Sequence, residues 1–168
     1  MKTIFGIIAV LLVTISSNCQ NSLTRKVSVS GFTGDTVIMY IDNMDLQGEL
    51  PKPRNSNDEI VGIYGFKLSS EEGLLKLVTE IFSEKELQGL ISSNSFIRTV
   101  CLPNGKILSV SFGFFENEPD VCLSKLEELS SIIKEEFTLQ IEFEEEIESD
   151  GYIRYSYKLA RELSKFIE

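Results

Sequence analysis

Phe96-Ile97-Arg98-Thr99-Val100-Cys101-Leu102, then Pro103-Asn104-Gly105-Lys106, then Ile107-Leu108-Ser109-Val110-Ser111-Phe112-Gly113-Phe114-Phe115 run without interruption through a chain of 168 residues. Two runs rich in β-branched and aromatic residues flank an Asn-Gly pair, a strong sequence signal for a β-hairpin. A two-residue loop would pair Pro103 with Lys106, and proline has no N–H to give that pair. The better turn places Pro103 at the second position of a type I turn, with Gly105 left-handed as a G1 bulge. That register sets Leu102 against Lys106, Val100 against Leu108, Arg98 against Val110 and Phe96 against Phe112. It turns Phe96, Val100, Leu108, Val110 and Phe112 toward the helices predicted on either side. It also leaves Arg98 among apolar residues without a partner.

Outward from the hairpin, residues 60–67 read as a strand. Ser69 and Glu72 form a capping-box pattern ahead of Leu74, Leu77, Val78 and Ile81 at helical spacing. Ser83 and Glu86 repeat it, which predicts a second short helix ending near Ile91. On the C-terminal side, Ser124 and Glu127 precede the stripe Leu126, Leu129, Ile133 and Phe137. Residues 139–148 and 152–159 then alternate around Ser149-Asp150-Gly151. A bulged turn there pairs Ile147 with Ile153, Phe143 with Tyr157 and Glu146 with Arg154, and it favours a second hairpin. Glu142, Glu144, Glu146 and Glu148 then make a solvated outer row, and Glu145 falls inward opposite Tyr155. At the other end, residues 27–32 and 36–41 read as strands around Gly31 and Gly34. The expected fold is α+β: an antiparallel sheet with two helices packed on one face. Its strand and helix order is ferredoxin-like βαββαβ, with an extra edge strand and an N-terminal β-hairpin.

Residues 1–19 read as a secretory or lipoprotein signal. A lysine at position 2 precedes an apolar run from Ile4 to Ile15 and a small-residue segment. The run is shorter than the ~20 residues that span a bilayer. Cys19 fits two routes: lipidation as a new N-terminus, or ordinary cleavage just after it. Residues 20–26 form a tether and residues 27–168 a single α+β domain. The chain is therefore expected in the periplasm, attached to the outer membrane as a lipoprotein, or outside the cell.

The composition excludes several function classes. Lys and Arg number 16 against 26 Asp and Glu, giving a net charge of −10. That argues against nucleic acid and against adsorption to anionic lipid, so membrane association is expected only through a lipid on Cys19. The chain has no histidine, which rules out catalytic and metal sites built on imidazole. Residues 42–49 lack the alternating oxygen ligands of a calcium loop. Ser131-Ile132-Ile133-Lys134 has the Ser-x-x-Lys spacing of serine β-lactam enzymes but lies mid-helix without their partner motifs. No catalytic residue, cofactor or metal site is expected. Cys101 and Cys122 remain after export, with unpaired thiols favoured over a disulfide.

The second half resembles the C-terminal domain of TonB-type energy transducers. The matching parts are residues 96–102, Asn104-Gly105-Lys106, residues 107–112, the helix at 123–137 and the strands around Ser149-Asp150-Gly151. It departs from that pattern in having no proline-rich spacer and no aromatic-x-Pro signature after the helix. The whole chain is more similar to small exported proteins of unknown function from Gram-negative gut anaerobes, a resemblance that implies no activity. Two function classes follow. The favoured one is a non-enzymatic envelope domain that binds a protein, peptide or glycan. The other is a carboxylate-dependent hydrolase such as a glycosidase, which needs only two acids flanking a cleft.

The lipidation route predicts that the wild-type protein takes up a fatty-acid label in growing cells and that Cys19→Ala abolishes it. An unlabelled wild type would select cleavage after Cys19 instead.

Overall fold

The structure, a computed structural model, describes residues 23–29, 34–115 and 117–168. Cys19, the signal segment and the Gly31 turn lie outside the described residues. Five antiparallel strands form the main sheet: β1 (Thr24–Val29), β2 (Thr36–Ile41), β4 (Phe96–Cys101), β5 (Ile107–Phe115) and β7 (Ile153–Tyr157). Their order is β1-β2-β5-β4-β7, and a separate antiparallel pair joins β3 (Ile63–Leu68) to β6 (Leu139–Phe143). The helices are α1 (Glu71–Ile81), α2 (Glu84–Ser92), α3 (Leu123–Glu136) and α4 (Leu159–Ile167). The α+β class, the N-terminal hairpin β1–β2 and an added edge strand, β7, match the sequence reading. The strand and helix order from β3 to β6 is βαββαβ, and β3 pairs with β6 as that order requires. The pair nevertheless stands apart from the main sheet, because β2 occupies the free edge of β5 from Val37 opposite Phe115 to Ile41 opposite Ser111.

The central hairpin closes as expected. The Gly105 N–H donates to Leu102 O at 2.9 Å, the Leu102 N–H donates to Lys106 O at 3.0 Å, and Gly105 has φ +85°. A Cβ on Gly105 would also lie 1.9 Å from Leu139 O, so the turn needs glycine for its conformation and for its approach to β6. Beyond the turn the register departs from the expected one. Cys101 faces Ile107 but Val100 faces Ser109, which leaves Leu108 as a bulge. From there Arg98 faces Ser111 and Phe96 faces Gly113. A one-residue slip exchanges the faces of a strand. Ile97 and Cys101 therefore join Ile107, Val110, Phe112 and Phe114 in the core, while Phe96 and Arg98 turn to the opposite side.

The helices cover the core face. Leu74, Leu75 and Val78 of α1, Leu87 and Leu90 of α2, and Leu126, Leu129 and Ile133 of α3 are buried there with Leu159 and Leu163 of α4. The cap of α1 is Ser70, whose Oγ accepts from the Gly73 N–H at 3.0 Å. Ser69, the expected cap, instead accepts from the Thr138 N–H at 3.1 Å and ties β3 to β6. At α2 the Ser83–Glu86 capping box is present. The Glu86 carboxylate accepts from the Ser83 N–H and Oγ, both at 2.7 Å, and from Lys125 Nζ at 2.5 Å. Those partners, Lys125 first, hold the Glu86 carboxyl at about 2, below its ordinary value.

The expected C-terminal hairpin does not form. β6 pairs with β3, β7 pairs with β4, and Leu159 opens α4 instead of ending a strand. The Asp150-Gly151 segment is a crossing point. The Tyr152 N–H donates to Pro51 O at 2.8 Å, and a Cβ on Gly151 would sit 2.3 Å from Pro53 N. Gly151 thus serves a close backbone approach to the 51–54 loop, where the sequence suggested a turn. Glu145 is exposed and accepts from Asn55 Nδ2 at 2.7 Å, so it does not point inward at Tyr155. The tilted ring pair of Phe66 and Tyr155, with centroids 5.4 Å apart, links the two sheets instead.

Asp42, just past β2, joins the sheet to α3. Its side chain is 2% exposed and accepts from Ser109 Oγ at 2.6 Å, the Val110 N–H at 3.0 Å and Ser130 Oγ at 3.1 Å, with Lys134 Nζ at 2.9 Å. Lys134, the lysine of the Ser-x-x-Lys run, is thereby a structural partner. Asp42→Ala leaves these donors and the Lys134 charge unpaired. It should lower stability by about 3 kcal/mol, read as a lower urea midpoint at unchanged m-value. Glu86 generates an acid-pH prediction. A depressed folded pKa contributes stability that is complete above the unfolded value, about 4.3, and lost as pH falls through about 2. Glu86→Gln should therefore destabilise at pH 6, and its difference from wild type should shrink as the pH falls toward 2.

Candidate functional site

The face of the main sheet opposite the helices is covered over only part of its width. Arg154, opposite Val100, donates through Nη2 to Leu46 O at 3.3 Å and to Gly48 O. Gln47 Nε2 donates to Ser111 Oγ at 3.4 Å. These contacts hold the loop after β2 across one part of the face. The rest is a trench of two adjacent hollows that share lining residues. One, of about 540 Å³, runs over Phe96, Arg98 and Ser156 to Lys158 and Arg161 at the start of α4. The other, of about 250 Å³, runs from the same Phe96 and Arg98 to Val37 and Met39 of β2 and Ser28 of β1. Phe115 lines both.

Each wall follows from local sequence. Phe96 lies across Gly113, where a Cβ would meet the ring 2.1 Å from Cζ, so the missing side chain at 113 seats the ring. Its centroid stands 5.3 Å from that of Phe115 and 5.6 Å from the Arg98 guanidinium carbon. Asn94, in the left-handed region at φ 47°, turns the chain from α2 into β4. The Phe115 N–H donates to Ser93 O at 2.9 Å, and the Ala160 N–H donates to Ser95 O at 2.9 Å. These bonds bring the end of β5 and the start of α4 to the same end of the trench.

The trench is cationic on a chain of net charge −10. Arg98, Lys158 and Arg161 line it, and no acidic side chain does among the described residues. On β1 the same face carries Lys26, opposite Met39. Arg161 Nε lies 3.5 Å from its neighbour Glu162. Arg98 is half-buried and its side chain makes no hydrogen bond or ion pair with any described residue; burial and then the nearby Arg154 charge lower its pKa. An arginine withdrawn from water is ordinarily paired. Ser95 at the trench wall is 2% exposed, and its hydroxyl has no partner among the described residues.

Sequence reasoning singled out Arg98 as unexplained; it found neither the trench nor Arg161, Phe115 and Ser95. Glu142, Glu144, Glu146 and Glu148 are exposed as expected, but Arg154, set opposite Glu146 in the expected hairpin, lies on β7 instead. Cys101 is buried, its thiol pushed up to about 11 by desolvation, and the exposed Cys122 precedes α3 with its thiol lowered by hydrogen bonding to Ser124. Both are free thiols. A second hollow, of about 420 Å³, lies between the sheets and is walled by Pro53, Val61, Ile63, Phe66 and Ile153. Among the described residues no group of three or more Cys, Asp or Glu side chains is arranged to hold a metal, and no helix is long and apolar enough to cross a membrane.

No protein-family model matches the sequence, and no curated protein matches it. Among solved structures the chain is similar to a DUF5043 family protein from Bacteroides uniformis. The TM-score is 0.55 at 16% identity, over 82% of this chain and 84% of that one. Identity at that level shows a shared fold. The source organism accords with the gut-anaerobe resemblance read from the sequence.

Proposed function

We propose that this chain is an exported envelope domain that acts as a non-enzymatic binding module, with its ligand in the trench on the open sheet face. The observation that carries this reading is Arg98: a half-buried guanidinium with unused donors, seated between an aromatic ring and two further cations. Binding sites combine an apolar surface with a few converging polar groups, and the trench has both. Export through residues 1–19, with Cys19 as lipid anchor or last residue of the signal, puts that site in the envelope. The partner is an envelope protein, peptide or glycan.

The hydrolase reading receives less support. A glycosidase needs one carboxyl kept protonated beside a second carboxylate in a cleft. The trench offers no carboxylate among the described residues. Among the described residues the carboxyls with displaced pKa values, those of Glu72, Glu86, Glu118 and Glu162, are all lowered, chiefly by hydrogen-bonded cations. The TonB-like run covers the central hairpin and α3 and adds no site to this reading.

A photoreactive residue at Ser156, which is exposed on the trench wall, should capture one specific partner repeatedly in native envelopes. The yield should fall when Phe96→Ala is added. Capture of a different, random set of envelope proteins in each repeat would overturn the proposal.

A further inference from the structure

The trench also carries information about the chemistry of its occupant. Its unused polar groups are mostly donors. Among the described residues the Arg98 and Lys158 side chains make no hydrogen bond or ion pair, and the buried Ser95 hydroxyl is unpartnered. A guanidinium and an ammonium donate only, so the group that satisfies them is an acceptor, and charge balance makes it an anion. Apolar side chains, Val37, Met39, Phe96 and Phe115, stand among these donors in both parts of the trench. One ligand crossing both parts must join acidic groups to apolar ones.

Resting on the binding-module reading, we infer that the trench binds an extended acidic peptide segment of another protein. Its carboxylates meet Arg98, Lys158 and Arg161, and its apolar side chains lie on Phe96, Phe115, Val37 and Met39. The dimensions agree. The trench crosses the sheet from β1 to β7, four interstrand spacings or roughly 19 Å, which an extended chain covers in about six residues at ~3.3 Å each. A neutral glycan fits less well, because it leaves the cations without a counter-charge and its hydroxyls would meet walls with no carboxylate to accept from them. Broad polyanions such as nucleic acid or an anionic membrane would press the whole surface, of net charge −10, against like charge. A short segment meets only the cationic patch.

The test uses the purified mature protein and a capped six-residue probe with three leucines followed by three glutamates. Controls are the same peptide with glutamines and an oligouronate. The glutamate peptide should bind and perturb the amide resonances of Phe96, Arg98 and Lys158. The glutamine peptide should bind at least tenfold more weakly. Arg98→Gln should weaken the glutamate peptide at least tenfold, with Arg98→Lys restoring part of the loss and both variants keeping the wild-type urea midpoint within error. Raising salt should weaken binding. Equal affinity for the glutamate and glutamine peptides, preference for the oligouronate, or an unchanged affinity in Arg98→Gln would each overturn the inference. So would absence of any peptide binding. If a partner is still captured repeatedly at Ser156 in any of those cases, the binding module stands and only the acidic-peptide assignment falls.

Discussion

A single unpaired residue, the bulge at Leu108, decides which side of this protein is core and which is site. Upstream of it the Gly105 turn sets Cys101 against Ile107; past it every pair shifts by one, to Val100 with Ser109 and Phe96 with Gly113. Without the bulge, Arg98 and Phe96 would face the helical layer, and the guanidinium would lie among Leu, Val and Phe side chains at a heavy desolvation cost. With it, Ile97 and Cys101 fill the core, and Arg98 opens onto the trench over a glycine that seats the neighbouring ring. β5 is paired along both edges, with β4 on one side and β2 on the other. The β3–β6 pair is thereby left to form its own sheet, held by the Gly105–Leu139 approach and the Phe66–Tyr155 ring contact.

Much of this was legible in the sequence where chemistry is local. The Pro103–Lys106 turn, the Ser83–Glu86 box and the stripe on α3 follow from rules acting over a few residues, and the structure keeps them. The errors arose where pairing is long-range. Ile107 and Leu108 are consecutive apolar residues ahead of a clean Ser109/Ser111/Gly113 alternation, and that doubled position was the available sign of a bulge. Glu144-Glu145-Glu146 interrupts the alternation of the supposed last strand, which marked the point where the chain leaves β6. Leu159, Leu163, Phe166 and Ile167 stand at helical spacing and signalled α4, but the alternation of residues 153–159 ran into Leu159 and hid the change of period. Lys158 and Arg161 reach the trench only because α4 starts there, so no local pattern could have joined them to Arg98.

The electrostatic arrangement is uneven for a physical reason. The acidic residues that give the chain its charge sit mostly on exposed helix faces and on the Glu142–Glu148 stretch, where water screens them. Asp42, a deeply buried and fully engaged carboxylate, ties β2 and β5 to α3, the helix layer on the far side of the sheet from the trench. Stability is thus concentrated on the helical face, and the opposite face is left free to display cations that the fold itself does not use.

The register of β4 on β5 is the claim on which both the core and the site depend, and nuclear Overhauser contacts between the strands test it most directly. The account predicts contacts from the Phe96 ring to the Gly113 α-protons, ring-current shifts on those protons, and Arg98 opposite Ser111. Phe96 opposite Phe112 and Arg98 opposite Val110, with Gly113 unshifted, would contradict it.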